Sequence, residues 1–265
     1  MDVFNMPIPE EVQSLIDQSG NNFHSKVAKW FTDNGWAIII SPYYMDQSQN
    51  KPREIDLIAE RSLPYSGNSD DPVGEVAIRL FIECKYIPQY SAFWFADKDK
   101  NAATELVCAT SPFSAGNSYT KKHHYLSSSD KVAKLFASSK DKLTENEPFY
   151  KALNQGLNAM VSLRRRPIVS LSRQHSRHVP TTTLEMPVII CNSFEKLYGV
   201  NFYDSDEVWN IDTPFQLEVD YAYQDTSGRY SNEYFLLDIV SYDQLSGFCK
   251  VLDEDTQAAA DLLSD

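Results

Sequence analysis

Apolar residues recur along this chain with two periods, and they divide it into elements. Residues 9–19 read as a short helix. A second helix begins at Asn21 or Asn22, residue types that cap helix N-termini, and runs to about residue 33. Its Phe23, Val27, Trp30 and Phe31 fall on one helical stripe. Asn34-Gly35 stops it, because glycine takes the left-handed conformation that ends helices. Residues 36–41 are an isoleucine-rich run and read as a buried strand. Residues 55–60 are another, predicted to place Ile55, Leu57 and Ala59 on one face and Asp56, Ile58 and Glu60 on the other. Residues 63–74 hold two prolines, two glycines and Asp70-Asp71 and read as a loop. Residues 76–87 form a long apolar strand ended by Pro88, which should pair with the previous strand as an antiparallel hairpin.

The middle reads as helical: residues 98–109, residues 130–138 with Val132, Leu135 and Phe136, and residues 147–163 with Phe149, Leu153, Leu157 and Met160 at helical spacing. A polar loop over 170–183 leads into strands at 186–191, 216–223 and 234–241, the last two joined by a turn over 225–229. Residues 242–263 begin as a helix, and the acidic tail from Asp253 is expected to fray. The predicted fold class is α/β: one domain over residues 1–265 with a central mixed β-sheet flanked by helices. Its parts are a core region (21–90), a basic middle (119–180) and C-terminal strands with a last helix (185–265).

Composition narrows the function. The chain has 265 residues, 42% of them hydrophobic and 12% aromatic, enough for a sizeable core. No run approaches the roughly 18 apolar residues that span a bilayer, and no membrane role is expected. The first residues lack the charged and apolar regions of a secretion signal, so a cytoplasmic location is the expectation. The four cysteines are widely spaced, without a C-x-x-C pair, and read as reduced core thiols. The net charge of −13 argues against non-specific binding to nucleic acid. Its distribution argues otherwise. Residues 119–180 carry 12 Lys/Arg against 4 Asp/Glu, while the remainder carries 12 against 33.

One constellation could carry chemistry. Glu83 and Lys85 stand two apart on a strand and share a face, with Ile82 and Cys84 on the other. On an exposed edge strand such a pair would be a weak surface ion pair. Residues 78–82 are too apolar for an edge, and buried Glu and Lys need partners or ligands. With Asp56 opposite them, two carboxylates and an ammonium would converge, the kind of hard-oxygen site magnesium takes. A lysine beside it could orient water and counter charge on a phosphate.

Helix, strand, a strand bearing Glu54-Ile55-Asp56, a loop and a strand bearing Ile82-Glu83-Cys84-Lys85 resemble the PD-(D/E)XK nuclease superfamily of restriction-endonuclease-like enzymes. The resemblance covers mainly residues 23–88. The helix over 147–163 and the strand over 186–191 fit the family's general layout. It implies a restriction-endonuclease-like core and a metal-dependent nuclease of DNA, in keeping with bacterial restriction or defence systems. It also implies Mg2+ or Mn2+ held by Asp56, Glu83 and the Cys84 backbone carbonyl, with Lys85 positioning the attacking water.

His24 departs from the pattern, standing where many members carry a glutamate on the first helix. It could ligate the metal, touch substrate, or be a solvated helix residue. Gln155 lies where several branches place a polar active-site residue, or is an exposed helix glutamine. Lys121, Lys122, Arg164, Arg165, Arg166, Arg173 and Arg177, with His123, His124, His175 and His178, supply the charge that tracking a phosphate backbone requires. Phe93-Trp94-Phe95 could stack bases but suits packing better. The alternative to a nuclease is a nuclease-like fold that no longer cuts and serves as a nucleic-acid-binding or protein-interaction module. A homodimer and a subunit of a larger complex are both compatible with the sequence.

Overall fold

The apolar runs after the first long helix build the half of the sheet that carries Asp56, Glu83 and Lys85. The computed structural model describes residues 8–18, 20–47, 49–66, 72–138, 148–164, 181–225 and 228–265. Helix α1 (Glu10–Gln18) precedes α2 (Asn21–Asp33), which buries Val27, Ala28 and Phe31 and ends where Gly35 takes φ +78°. There follow β1 (Ala37–Ile40), the hairpin of β2 (Tyr43–Asp46) and β3 (Lys51–Glu54), then β4 (Leu57–Ser66), β5 (Pro72–Lys85) and β6 (Ser91–Asp97). The middle holds α3 (Lys100–Thr110), α4 (His124–Ser127), β7 (Lys131–Ser138) and α5 (Pro148–Leu163). The last part holds β8 (Thr181–Cys191), β9 (Leu197–Asn201), β10 (Asp204–Asn210), β11 (Phe215–Gln224), β12 (Tyr230–Ser241) and α6 (Leu245–Ser264).

Among the described residues, ten strands form one mixed sheet in the order β1-β4-β5-β8-β12-β11-β7-β6-β9-β10. This is an α/β architecture with helices on both faces of a large sheet. β4 pairs antiparallel with β1 and β5, whereas β8 runs parallel to both β5 and β12. Pro187, which has no N–H to donate, stands just before the β8–β12 pairing begins at Val188.

Alternation along β5 sorts the core into two layers. Val76, Ile78, Leu80 and Ile82 pack with α2, α3 and α6, while Phe81 packs on the opposite face with Phe149, Leu153 and Leu157 of α5. Fully burying a side chain of this size contributes roughly 1.5–3 kcal/mol. β5 is interior, and Glu83 and Lys85 project to the α5 face. Among the described residues no helix is long and apolar enough to cross a membrane. All four cysteines are free thiols.

Several expectations change. Residues 131–138 form strand β7 rather than a helix, paired with β6 and β11. Val132, Leu135 and Phe136 suit either period over so short a run, and the cross-strand partners decide. The loop expected over 63–74 is shorter, since β4 continues to Ser66 and β5 begins at Pro72. Thr181–Thr183 likewise belong to β8 rather than to the preceding loop. The acidic tail is ordered helix, because Asp255, Thr256 and Ala258–Ala260 are buried on its inner side. Ile55 packs in the opposite layer from Leu57 and Ala59, so the alternation is interrupted at Asp56. The pattern marks none of the strands β2, β3, β6, β9 and β10, and β1 is a half-exposed edge strand rather than a buried one. Phe93 and Phe95 are buried, which leaves them packing partners rather than stacking platforms.

Candidate functional site

Asp56 occupies the bend between β3 and β4. Its carbonyl accepts 2.9 Å from the N–H of Ser41, a residue held at a left-handed φ of +52°. Its carboxylate reaches across to β5, where Oδ2 accepts 2.7 Å from the Cys84 backbone N–H. That bond fixes Asp56 between the two side chains flanking Cys84, which point to the other face.

Glu83 is fully buried. Its Oε2 accepts 2.8 Å from Lys85 Nζ, while Oε1 is buried without a hydrogen-bond partner. Helix α5 passes over it, since a Cβ added at Gly156 would lie 3.8 Å from Glu83 Cγ. Burial pushes the Glu83 pKa up to about 7, against the pull of Lys85 and with a further push from Asp56. Burial draws the Lys85 ammonium down, but Glu83 and Asp56 more than offset it, leaving its pKa above the ordinary lysine value. Lys85 is therefore a cation at neutral pH.

This donor set fits a hard divalent cation. Such ions take oxygen ligands, and the partnerless Glu83 Oε1 is a buried acceptor that an ion would satisfy. The structure thus brings Asp56, Glu83 and Lys85 together, with the Cys84 carbonyl on the same stretch.

Gln155 lies beside them on α5. Its Nε2 donates 3.3 Å to the Glu54 carbonyl, and its Oε1 is buried without a partner. His24 lines a hollow with Asn21, Ser25, Ser41 and Glu54, and its Nε2 is buried and unpartnered.

The basic middle is less of a unit in space than in sequence. Lys121 and Lys122 are exposed, the latter 4.3 Å over the Tyr119 ring, on the sheet face covered by α3 and α6 rather than by α5. Arg164 forms two bonds of 2.7 and 2.8 Å to the Glu233 carboxylate and one of 2.6 Å to the Tyr223 hydroxyl. Lys131 pairs with Asp97 and Lys134 with Glu218. Much of the segment's described charge is answered by acids from elsewhere in the chain. Arg165, Arg166, Arg173, Arg177, His175 and His178 lie outside the described residues.

His123 and His124 are buried rather than part of a basic surface. His124 Nδ1 lies 2.5 Å from Asp255 Oδ2 and Nε2 3.0 Å from Asp238 Oδ2, while the His124 backbone N–H donates 2.9 Å to Asp255 Oδ1. Burial opposes the charge on His124, but Asp238 and Asp255 overcome it and raise its pKa to about 10. Burial lowers His123 to about 4. Ligand atoms of His123, His124 and Asp255 lie within 4.8 Å of one another, so this group could hold a metal ion. As an imidazolium His124 donates one N–H to Asp255 and the other to Asp238, which already accounts for both of its ring nitrogens.

Sequence reasoning missed Tyr44, Asn154, Asn158 and Tyr221, which line a polar hollow beside Gln155. The Asn154-Gln155…Asn158 spacing on one helix was the available signal. Compared with known proteins, the chain matches no family model, and no curated protein or solved structure is detectably similar to it.

Proposed function

We propose that this chain is a metal-dependent nuclease that hydrolyses phosphodiester bonds in DNA, built on a restriction-endonuclease-like core. The observation that carries the reading is the buried Glu83 Oε1, without a partner, beside Asp56 and Lys85. The order α2, β1, β4, β5, α5, β8, with β8 parallel to β5, supports the core that the sequence resemblance implies.

Asp56, Glu83 and the Cys84 carbonyl would hold Mg2+ or Mn2+, which supplies Lewis-acid stabilisation of charge on a phosphate and lowers the pKa of bound water. The protein's own part is positional and electrostatic. The Cys84 N–H holds the Asp56 carboxylate in place, and α5 excludes water from Glu83. Lys85, kept protonated by its two acidic neighbours, orients the attacking water by hydrogen bonding and counters negative charge as the phosphorus is attacked. Its raised pKa makes it a fixed cation rather than a base.

The test is cleavage of linear, circular and single-stranded DNA and of RNA, with and without Mg2+ or Mn2+, by the wild type and Glu83→Gln. Metal-dependent DNA cleavage lost in the variant supports the reading; cleavage equal in both proteins overturns the mechanism. A fold that binds without cutting is the second reading, favoured by His24 in place of the family's helix glutamate. Calorimetric Mn2+ binding that depends on Asp56 supports the first, and its absence the second.

A further inference from the structure

A hollow of about 560 Å3 opens beside the site, between α5, the β2–β3 hairpin and β11. Its volume is that of a small-ligand pocket, but its wall is mostly phenol and amide. Tyr44 and Tyr221 face Asn154, Gln155 and Asn158, which share one side of α5.

Two of these residues hold unspent hydrogen-bonding capacity. Tyr44 is 4% exposed, and its hydroxyl is buried without a partner. Gln155 Oε1 is likewise buried and unpartnered. Leaving such atoms unpaired is costly, and few native positions show it. Burial, with Asp46 and Glu83, raises the Tyr44 pKa and keeps its hydroxyl a donor. Both residues line the hollow, so its wall carries one donor and one acceptor without a protein partner, each occluded from solvent.

The other groups are already fixed. Tyr221 donates 3.0 Å to Asn154 Oδ1, and Asn154 Nδ2 donates 2.8 Å to the Tyr150 carbonyl. Arg53 donates 3.1 Å from Nε to Asp46 Oδ2 and from Nη2 to Gln49 Oε1, so its charge is answered locally. Lys151 stands at the exposed rim, so an anionic group would meet its cation there and not along the inner wall, and an apolar one would leave the amides stranded. A neutral planar ring with donors and acceptors on its edge satisfies the wall, its edge meeting the Tyr44 hydroxyl and Gln155 Oε1.

The hollow also adjoins the proposed chemistry. Gln155 bonds the carbonyl of Glu54, two residues before Asp56, and the next residue, Gly156, lies over Glu83. We infer that this hollow is a nucleobase pocket, holding one unstacked base of the substrate strand next to the phosphate at Asp56, Glu83 and Lys85. The inference rests on the nuclease reading and adds a base-selecting element to it.

The test separates the two. Fluorescence anisotropy in EDTA, where no metal-dependent cleavage occurs, measures binding of dA8, dC8, dG8, dT8 and an abasic oligomer of the same length at one salt concentration. The pocket predicts that the best base binds at least about tenfold tighter than the abasic oligomer, as one stacked and hydrogen-bonded base supplies. Tyr44→Phe, which removes only the hydroxyl, and Asn158→Ala should each shrink that ratio several-fold and leave affinity for the abasic oligomer unchanged. Equal affinity for all five oligomers, no binding of any, or a ratio unmoved by both variants overturns the pocket. Base-dependent binding by a protein that cuts nothing in Mg2+ or Mn2+ would overturn the nuclease reading alone. Metal-dependent cleavage with base-independent binding would overturn the pocket alone.

Discussion

The Asp56 carboxylate accepts its 2.7 Å hydrogen bond from the backbone N–H of Cys84, the residue between Glu83 and Lys85. A side chain at a bend is thus tied to the neighbouring strand within the motif it must meet. Asp56→Asn keeps an acceptor for that N–H, whereas Asp56→Ala strands it. Urea unfolding should show Asp56→Ala destabilised by about 1–3 kcal/mol, the penalty for an unsatisfied buried donor, and Asp56→Asn by less. Both variants should lose Mn2+ binding.

Glu83 gives the site a pH dependence. Its pKa is raised to about 7, so between about 4.5 and 7 the folded state holds a proton that the unfolded state has released. Stability from this residue is present at the acid end and lost as pH rises through about 7. Cation binding must displace the same proton. Mn2+ affinity by calorimetry should therefore weaken about tenfold per pH unit below 7 and level off above it. Glu83→Gln should abolish that binding and remove Glu83's part of the change in melting temperature.

His124 has the same sign of pH dependence at a higher pH. With its pKa at about 10, His124 contributes stability that is full below its unfolded value of 6.5 and is lost as pH rises through 10. His123, lowered to about 4, works the other way, costing stability as pH falls from 6.5 toward 4. Melting temperatures should fall between pH 7 and 10 in the wild type and less steeply in His124→Gln. Asp255→Ala leaves His124 with one carboxylate and should destabilise by about 3–5 kcal/mol.

Arg79 sits in the sheet interior between Glu60 on β4 and Glu185 on β8, at 2.7 and 2.9 Å, in register with both. Removing the cation alone leaves two buried carboxylates facing each other. Arg79→Ala should cost about 3–5 kcal/mol in chemical unfolding. Arg79→Met combined with Glu60→Gln and Glu185→Gln should recover most of it, because no charge is then left unpaired.

What the sequence disclosed follows from where structure is decided. α2, α5 and the β4–β5 hairpin were legible because each carries its own period and its own stop, such as Gly35. Glu83 and Lys85 were legible because charged residues in so apolar a run must be answered. β7 was misread because its apolar positions fit two periods, and pairing with β6 and β11 is non-local. The tail from Asp253 was misread because a composition rich in acid and alanine hides the burial of Asp255 against His124. The Tyr44 hollow draws on three elements distant in sequence, and the pairing of Arg164 with Glu233 spans 69 residues. No local pattern encodes such contacts.

The most direct measurement is the nicking of supercoiled DNA in Mg2+ by the wild type beside Lys85→Ala, with EDTA as control. The wild type should convert the plasmid, EDTA should stop it, and Lys85→Ala should be slower by roughly 10²-fold or more. Equal rates for the two proteins, or no cleavage by the wild type in Mg2+ or Mn2+, would contradict the account.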